Sequence, residues 1–166
     1  MSTFDTISAF TLKAEGGYSN DPEDPGGETN YGISKRDHPN TDIKNLTIPQ
    51  ALQIYHDEYW VRMSGDLLPP LTACALFDFG FASGVSTGVE HLQTLAGVAP
   101  DGQLGPRSIA AIKGRDDHSL ALALCKARVN YDISLGKARY EMGWVDRVVD
   151  LIGLLWTMSA PPAKQA

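Results

Sequence analysis

No run of about 18 apolar residues occurs anywhere in the chain, so no membrane-spanning helix is expected. The N-terminus also lacks a basic start followed by an apolar core. Asp5 stands there inside an amphipathic pattern, and no conventional secretory signal is expected. Positive charge is scarce. Fourteen Lys and Arg face twenty Asp and Glu, a formal charge of −6, which argues against a nucleic-acid binder and against strong attraction to anionic surfaces. Cysteine is limited to Cys74 and Cys125, each in an apolar helical pattern, and two buried free thiols are the reading for a chain made in the cytosol. His56-Asp57-Glu58 is not a metal signature, since no second histidine or cysteine sits at ligand spacing; no metal and no cofactor is expected. Internal repeats and low-complexity segments are missing as well.

What remains suits one domain, or a small domain with a closely packed extension: 166 residues, 43% of them apolar. The distinctive stretch begins at a helix end. After Ser2 or Thr3 as N-cap, Phe4, Ile7, Phe10 and Ala14 recur at three- and four-residue intervals, and Gly16-Gly17 stops the helix. Glu15 therefore lies in the last turn, where the negative end of the helix dipole and partial burial both favour its protonated form. Asp21, Glu23, Asp24 and Glu28 follow in a loop stiffened by Pro22 and Pro25. Gly26-Gly27 permit a reversal into Thr29-Asn30-Tyr31-Gly32-Ile33, a short strand or hairpin. Composition alone leaves two readings open: a solvated acidic turn, or the carboxyl pair that glycosidic cleavage uses, one group protonated and one ionised. The spacing does not fit a calcium loop.

Farther along, Thr47 reads as an N-cap with Pro49 in the first turn, and Leu52, Tyr55, His56, Tyr59 and Trp60 share a helix face running to about Val61. His38 in His38-Pro39-Asn40 reads as an exposed turn histidine. Leu71 to Phe81 is apolar nearly all round and predicts a central buried helix; its one charge, Asp78, needs a partner or faces a cleft. Val89, Leu92 and Leu95 mark another helix. A long one is expected from Ser119 to about Arg139, with Leu120, Leu124, Cys125, Val129 and Ile133 inward, then a last apolar helix through Trp156 and a disordered tail over 159–166.

Glu15-Gly16-Gly17-Tyr18-Ser19-Asn20-Asp21-Pro22-Glu23-Asp24-Pro25-Gly26-Gly27-Glu28-Thr29-Asn30-Tyr31-Gly32-Ile33-Ser34 resembles the signature of glycoside hydrolase family 108. These are lysozyme-like N-acetylmuramidases of phage and prophage endolysins, with relatives first labelled secretion activators. Asp101-Gly102-Gln103-Leu104-Gly105-Pro106-Arg107-Ser108 resembles an element of small helical peptidoglycan-binding modules, with Ser108 in place of threonine. Gly143-Trp144-Val145-Asp146-Arg147-Val148 resembles the ending of this family's C-terminal module. Phe81-Ala82-Ser83-Gly84 stands where the family tends to carry Val-Asn-x-Gly, so that asparagine is missing here.

The resemblance implies a mainly α, lysozyme-like helical domain with a small β-hairpin beside the active-site cleft. It implies a catalytic region over 1–89 and a peptidoglycan-binding region over 90–158, joined without a flexible linker. Glu15 would be the catalytic acid. Asp24 falls at the Glu-to-Asp spacing of phage-type lysozymes, and Thr29 arrives one residue early for their threonine. Tyr18, Asn20, Tyr31 and Asp78 are the candidate substrate contacts. The implied activity is hydrolysis of the β-1,4 bond between N-acetylmuramic acid and N-acetylglucosamine. The rivals are a lytic transglycosylase on the same bond and a non-catalytic wall-binding or secretion-assisting protein. The expected partner is the peptidoglycan glycan strand, and the expected state a monomer. Synthesis in the cytoplasm without a classical signal would then call for a holin or another export route to the periplasm or cell wall.

Overall fold

The computed structural model describes residues 1–20 and 27–160. They form seven α-helices and one two-stranded antiparallel hairpin, in two compact units, Met1–Glu58 and Tyr59–Ala166.

In the first unit, α1 (Thr3–Glu15) starts on a capping box. Ser2 Oγ accepts the Asp5 amide at 3.0 Å and Asp5 Oδ2 accepts the Ser2 amide at 2.8 Å, so two of the open N-terminal donors are satisfied reciprocally. Gly16, with φ +73°, ends it. The buried face differs from the expected one. Ile7, Ser8 and Thr11 are inside, Phe4 and Phe10 are half-buried, and Ala14 is exposed. Small polar side chains thus hold inner positions that an apolar count assigns elsewhere, and Glu15 continues the row of Ile7, Ser8 and Thr11 one turn further.

Strands β1 (Thr29–Asn30) and β2 (Ile33–Ser34) pair with Thr29 opposite Ser34 and Asn30 opposite Ile33. Tyr31 and Gly32 make the two-residue turn between them with φ values of 52° and 71°, the mirror-image turn whose twist matches that of a strand pair. The helix α2 (Ile48–Tyr55) is capped at Thr47, whose amide donates to Gln50 Oε1 at 2.9 Å. It continues as a π-turn, His56–Trp60. His38 is not the exposed histidine expected: its side chain is only 13% accessible, with Nε2 3.0 Å from Glu58 Oε1.

In the second unit, a single 3₁₀ turn (Gly65–Leu67) leads to α3 (Pro70–Ser83), in which every residue from Leu71 to Gly80 is buried. Around α3 pack α4 (Val85–Ala96), α6 (Asp117–Ser134) and α7 (Ala138–Ser159), while α5 (Pro106–Lys113) packs on α4. Leu76, Phe77 and Phe79 have no exposed surface, each contributing roughly 1.5–3 kcal/mol of apolar burial. Two adjacent aspartates divide the capping of two helices. Asp116 caps α6 through the Ser119 amide, at 2.9 Å. Asp117 reaches back to α3, accepting the amides of Leu71 (3.0 Å) and Thr72 (2.8 Å).

Helix α6 ends at Ser134, short of the expected Arg139, because Gly136 takes a left-handed φ of +64°. Its inner face is Leu120, Ala121, Leu124, Cys125, Arg128 and Asp132; Ile133, expected inside, is 49% exposed. Val148, Leu151 and Leu155 of α7 are buried, and α7 extends through Ser159, into what was expected to be tail. The rest of that tail, 161–166, lies outside the described residues. Cys74 and Cys125 are free, buried thiols, as expected.

Candidate active site

Glu15 is half-buried at the C-terminal end of α1, and the hairpin turn lies against it. A Cβ placed on Gly32 would stand 2.7 Å from Glu15 Oε2 and 2.9 Å from both Cγ and Cδ. Real Cβ atoms do not approach so closely. The glutamate side chain therefore occupies the space any other residue at position 32 would need. Gly32 is required twice, for its left-handed backbone and for this contact.

The turn is secured from behind by buried side chains. Tyr55, with no exposed surface, donates its hydroxyl to the carbonyl of Tyr31 at 2.7 Å. Asn30 is buried, and its Nδ2 donates to the Ile43 carbonyl at 3.0 Å. Tyr31 is a non-glycine residue at positive φ, a conformation costing on the order of 1 kcal/mol that its surroundings must hold. On the other edge, Ser19 and Thr29 exchange two backbone hydrogen bonds of 2.8 Å, so the segment just after Glu15 runs beside β1. Tyr18 donates its hydroxyl to Glu28 Oε1 at 2.9 Å, and that bond holds the phenol's pKa above its ordinary value, while Asn20 acts on the same hydroxyl in the opposite direction.

Within one unit, then, the structure gathers Glu15, Tyr18, Asn20, Thr29 and Tyr31. Thr29 is half-buried and its backbone is committed to the pairing with Ser19 and Ser34; Tyr18 and Asn20 are exposed. Asp24, the candidate second carboxylate, lies outside the described residues.

Asp78 belongs to the other unit and is no surface contact. Its side chain has no accessible area and is paired with Arg128 and with Arg147, whose Nε lies 2.9 Å from Oδ1. A carboxylate without accessible surface cannot touch a sugar, so Asp78 is a core charge and not the substrate contact expected. Arg128 also lies 3.4 Å from Asp132, itself buried; burial raises the Asp132 pKa above its ordinary value against the pull of Arg128. Such a cluster holds because each charge has its opposite nearby.

Three residues that shape the site were not singled out from the sequence: Gly32, Asn30 and Tyr55. For the first two a signal existed, since an Asn-x-Gly run between short apolar segments is hairpin chemistry. Tyr55 carried none, because an aromatic in a helical stripe reads simply as core.

Residues 8–84 match the family model described as Glycosyl hydrolase 108, and residues 87–149 match a Predicted Peptidoglycan domain. Among solved structures, the chain is similar to Brucella abortus SagA, at 32% identity over 97% of this chain and 98% of that one, with a TM-score of 0.87. No curated protein matches. The expected lysozyme-like helical fold with its small hairpin agrees with this likeness. Among the described residues, no helix is long and apolar enough to cross a membrane.

Proposed function

Because the chain belongs to the glycosyl hydrolase 108 family, we propose that it is a peptidoglycan hydrolase in which Glu15 is the general acid, cleaving the β-1,4 bond between N-acetylmuramic acid and N-acetylglucosamine. A glycosyl-hydrolase match followed directly by a peptidoglycan-domain match supports a role in peptidoglycan hydrolysis or binding. The observation that carries the finer reading is the seating of Glu15. A carboxyl group at a helix end is packed against a glycine turn so closely that a Cβ on Gly32 would collide with it.

The chemistry asked of Glu15 is proton donation to the glycosidic oxygen as the bond to the anomeric carbon breaks and positive charge develops on the sugar ring. Asp24 is assigned the second role, activating water or stabilising that charge. Thr29 and Tyr31 position the water or sugar at the hairpin, and Tyr18 and Asn20 contact the strand beyond it. The site of action is the cell wall or periplasm, reached through a holin or another export route.

The test is digestion of purified peptidoglycan by wild type and Glu15→Gln, with mass spectrometry of borohydride-reduced products. Reducible N-acetylmuramic acid ends from wild type, and at most a few per cent of that activity from a folded Glu15→Gln, are the expected result. Anhydro ends would assign a lytic transglycosylase instead. Wall binding without any product would leave a binding protein, the reading that the second matched domain favours.

A further inference from the structure

In the second unit, the loop after α4 folds back onto the start of that helix and leaves a groove of about 530 Å³. It is lined by Arg62, Val85, Ser86, Asp101, Gly102, Gln103 and Leu104. One buried side chain builds it. Gln93 has no exposed surface; its Nε2 donates to Asp101 Oδ1 (2.7 Å), the Gln103 carbonyl (2.9 Å) and Ser108 Oγ (3.2 Å), and its Oε1 accepts the Gly102 amide at 3.0 Å. The two amide hydrogens are shared among Asp101 and Gln103 of the loop and Ser108 of α5, and the amide oxygen takes the Gly102 amide, which fixes the groove's wall. Gly102, at φ +73°, brings the loop so close that a Cβ there would stand 2.2 Å from Ser86 Oγ.

The groove's charges are not spent on each other. Arg62 is exposed and has no hydrogen bond or ion pair among the described residues. Asp101 uses Oδ1 for both Gln93 and the Gln103 amide, while Oδ2 has no partner among the described residues. Those bonds also hold the Asp101 carboxyl below its ordinary pKa, so it stays ionised at neutral pH. Val85 and Leu104 add apolar surface beside the Arg62 cation and the Asp101 anion. None of the lining residues is aromatic, so the stacking platform that a sugar ring uses is missing.

We propose that this groove binds the peptide stem of peptidoglycan, with a stem carboxylate on Arg62, a stem amino group on Asp101, and side-chain methyls on Val85 and Leu104. Arginine presents paired donors that match a carboxylate. The volume falls in the range of small-ligand clefts, roughly 300–1,000 Å³. The inference rests on the peptidoglycan reading above and deepens it: the second unit reads peptide, not glycan.

The test titrates the full chain, by calorimetry and by amide NMR, with two probes. One is stem peptides freed from the glycan by an amidase; the other is glycan strands stripped of peptide. Wild type is expected to bind the free peptides, shifting the Ser86 and Gly102 amides, and Arg62→Glu to weaken that binding at least tenfold. On stripped glycan, Arg62→Glu is expected to hydrolyse as wild type does. Failure of wild type to bind or cut whole sacculi would overturn the parent reading. Sacculi bound and cut, with free peptides ignored or bound equally by Arg62→Glu, would overturn the groove alone. Arg62 is exposed, so its replacement tests binding and not folding.

Discussion

The two units are held together by different means. Around α3, cohesion is apolar: a helix buried from Leu71 to Gly80 is wrapped by three others, and the buried charges of the described residues are gathered in one cluster. Around the hairpin, a smaller apolar core of Ile7, Ile33, Ile43 and Ala51 is supplemented by single hydrogen bonds from side chain to backbone, Tyr55 to Tyr31 and Asn30 to Ile43, plus a short backbone ladder. Non-directional packing tolerates small shifts. Individual hydrogen bonds fix an angle and a distance, which a reacting carboxyl group needs. The lesson is that stability and precision are supplied separately, and that the unit bearing the candidate chemistry is the more easily disturbed.

Breaking the charge cluster is expected to have the largest effect. Asp78→Ala leaves Arg128 and Arg147 buried without their shared partner and should cost about 3–5 kcal/mol, lowering the melting temperature by roughly 10 °C in calorimetry. A loss below 1 kcal/mol would mean the cluster contributes little. Next comes a paired substitution at two glycines of similar φ. Gly27, at φ +69°, has nothing within 4 Å of where a Cβ would sit, whereas Gly32 meets Glu15. Both alanine variants should lose on the order of 1 kcal/mol of stability from backbone strain. Only Gly32→Ala should also lose hydrolysis, about a hundredfold in kcat/KM, since displacing a positioned group by an ångström costs about that much. Equal activities would show that Glu15 does not depend on the turn.

A smaller effect is expected from Tyr55→Phe, which removes one hydrogen bond to a strained turn: about 1–2 kcal/mol in urea melts, with kcat falling more than KM changes. The mildest test concerns the apolar unit. Burial lifts the Cys74 and Cys125 thiols to about 12 from an ordinary 9.0. With folded values raised, their contribution to stability is complete below pH 9 and is lost as the pH climbs from there towards 12. Urea melts above pH 9 should show that decline, and a thiol reagent at pH 8 should find neither cysteine until the chain unfolds. Immediate reaction of both would show that the core opens freely.

Much of this was legible in the sequence, and the gaps have physical causes. The start and stop of α1, the Thr47-Pro49 start of α2 and the burial of α3 follow from local signals: caps, a first-turn proline, an unbroken apolar run. Glu15 at a helix end facing a hairpin could be placed for the same reason. What escaped were positions whose burial is set by a partner distant in sequence. Arg128 and Asp132 face inward because Asp78 waits there, so apolar periodicity put Val129 and Ile133 in their place. Ser8 and Thr11 are buried because small side chains fit that face of α1. His38 is sheltered by Glu58, twenty residues on. The early end of α6 was written in Gly136, but a single glycine inside a helical pattern is a weak signal until its backbone angle is seen.

The capping of α3 by Asp117 bears on how the chain is made. Synthesis delivers residues in order, and domains fold as they emerge. Everything that fastens the hairpin, through Tyr55, is on hand early. Leu71 and Thr72, by contrast, must wait for an acceptor that the ribosome adds some 45 residues later. Through that interval the most apolar helix among the described residues has α4 beside it but neither its N-terminal cap nor α6 and α7, so part of its apolar surface stays open until the C-terminal helices arrive.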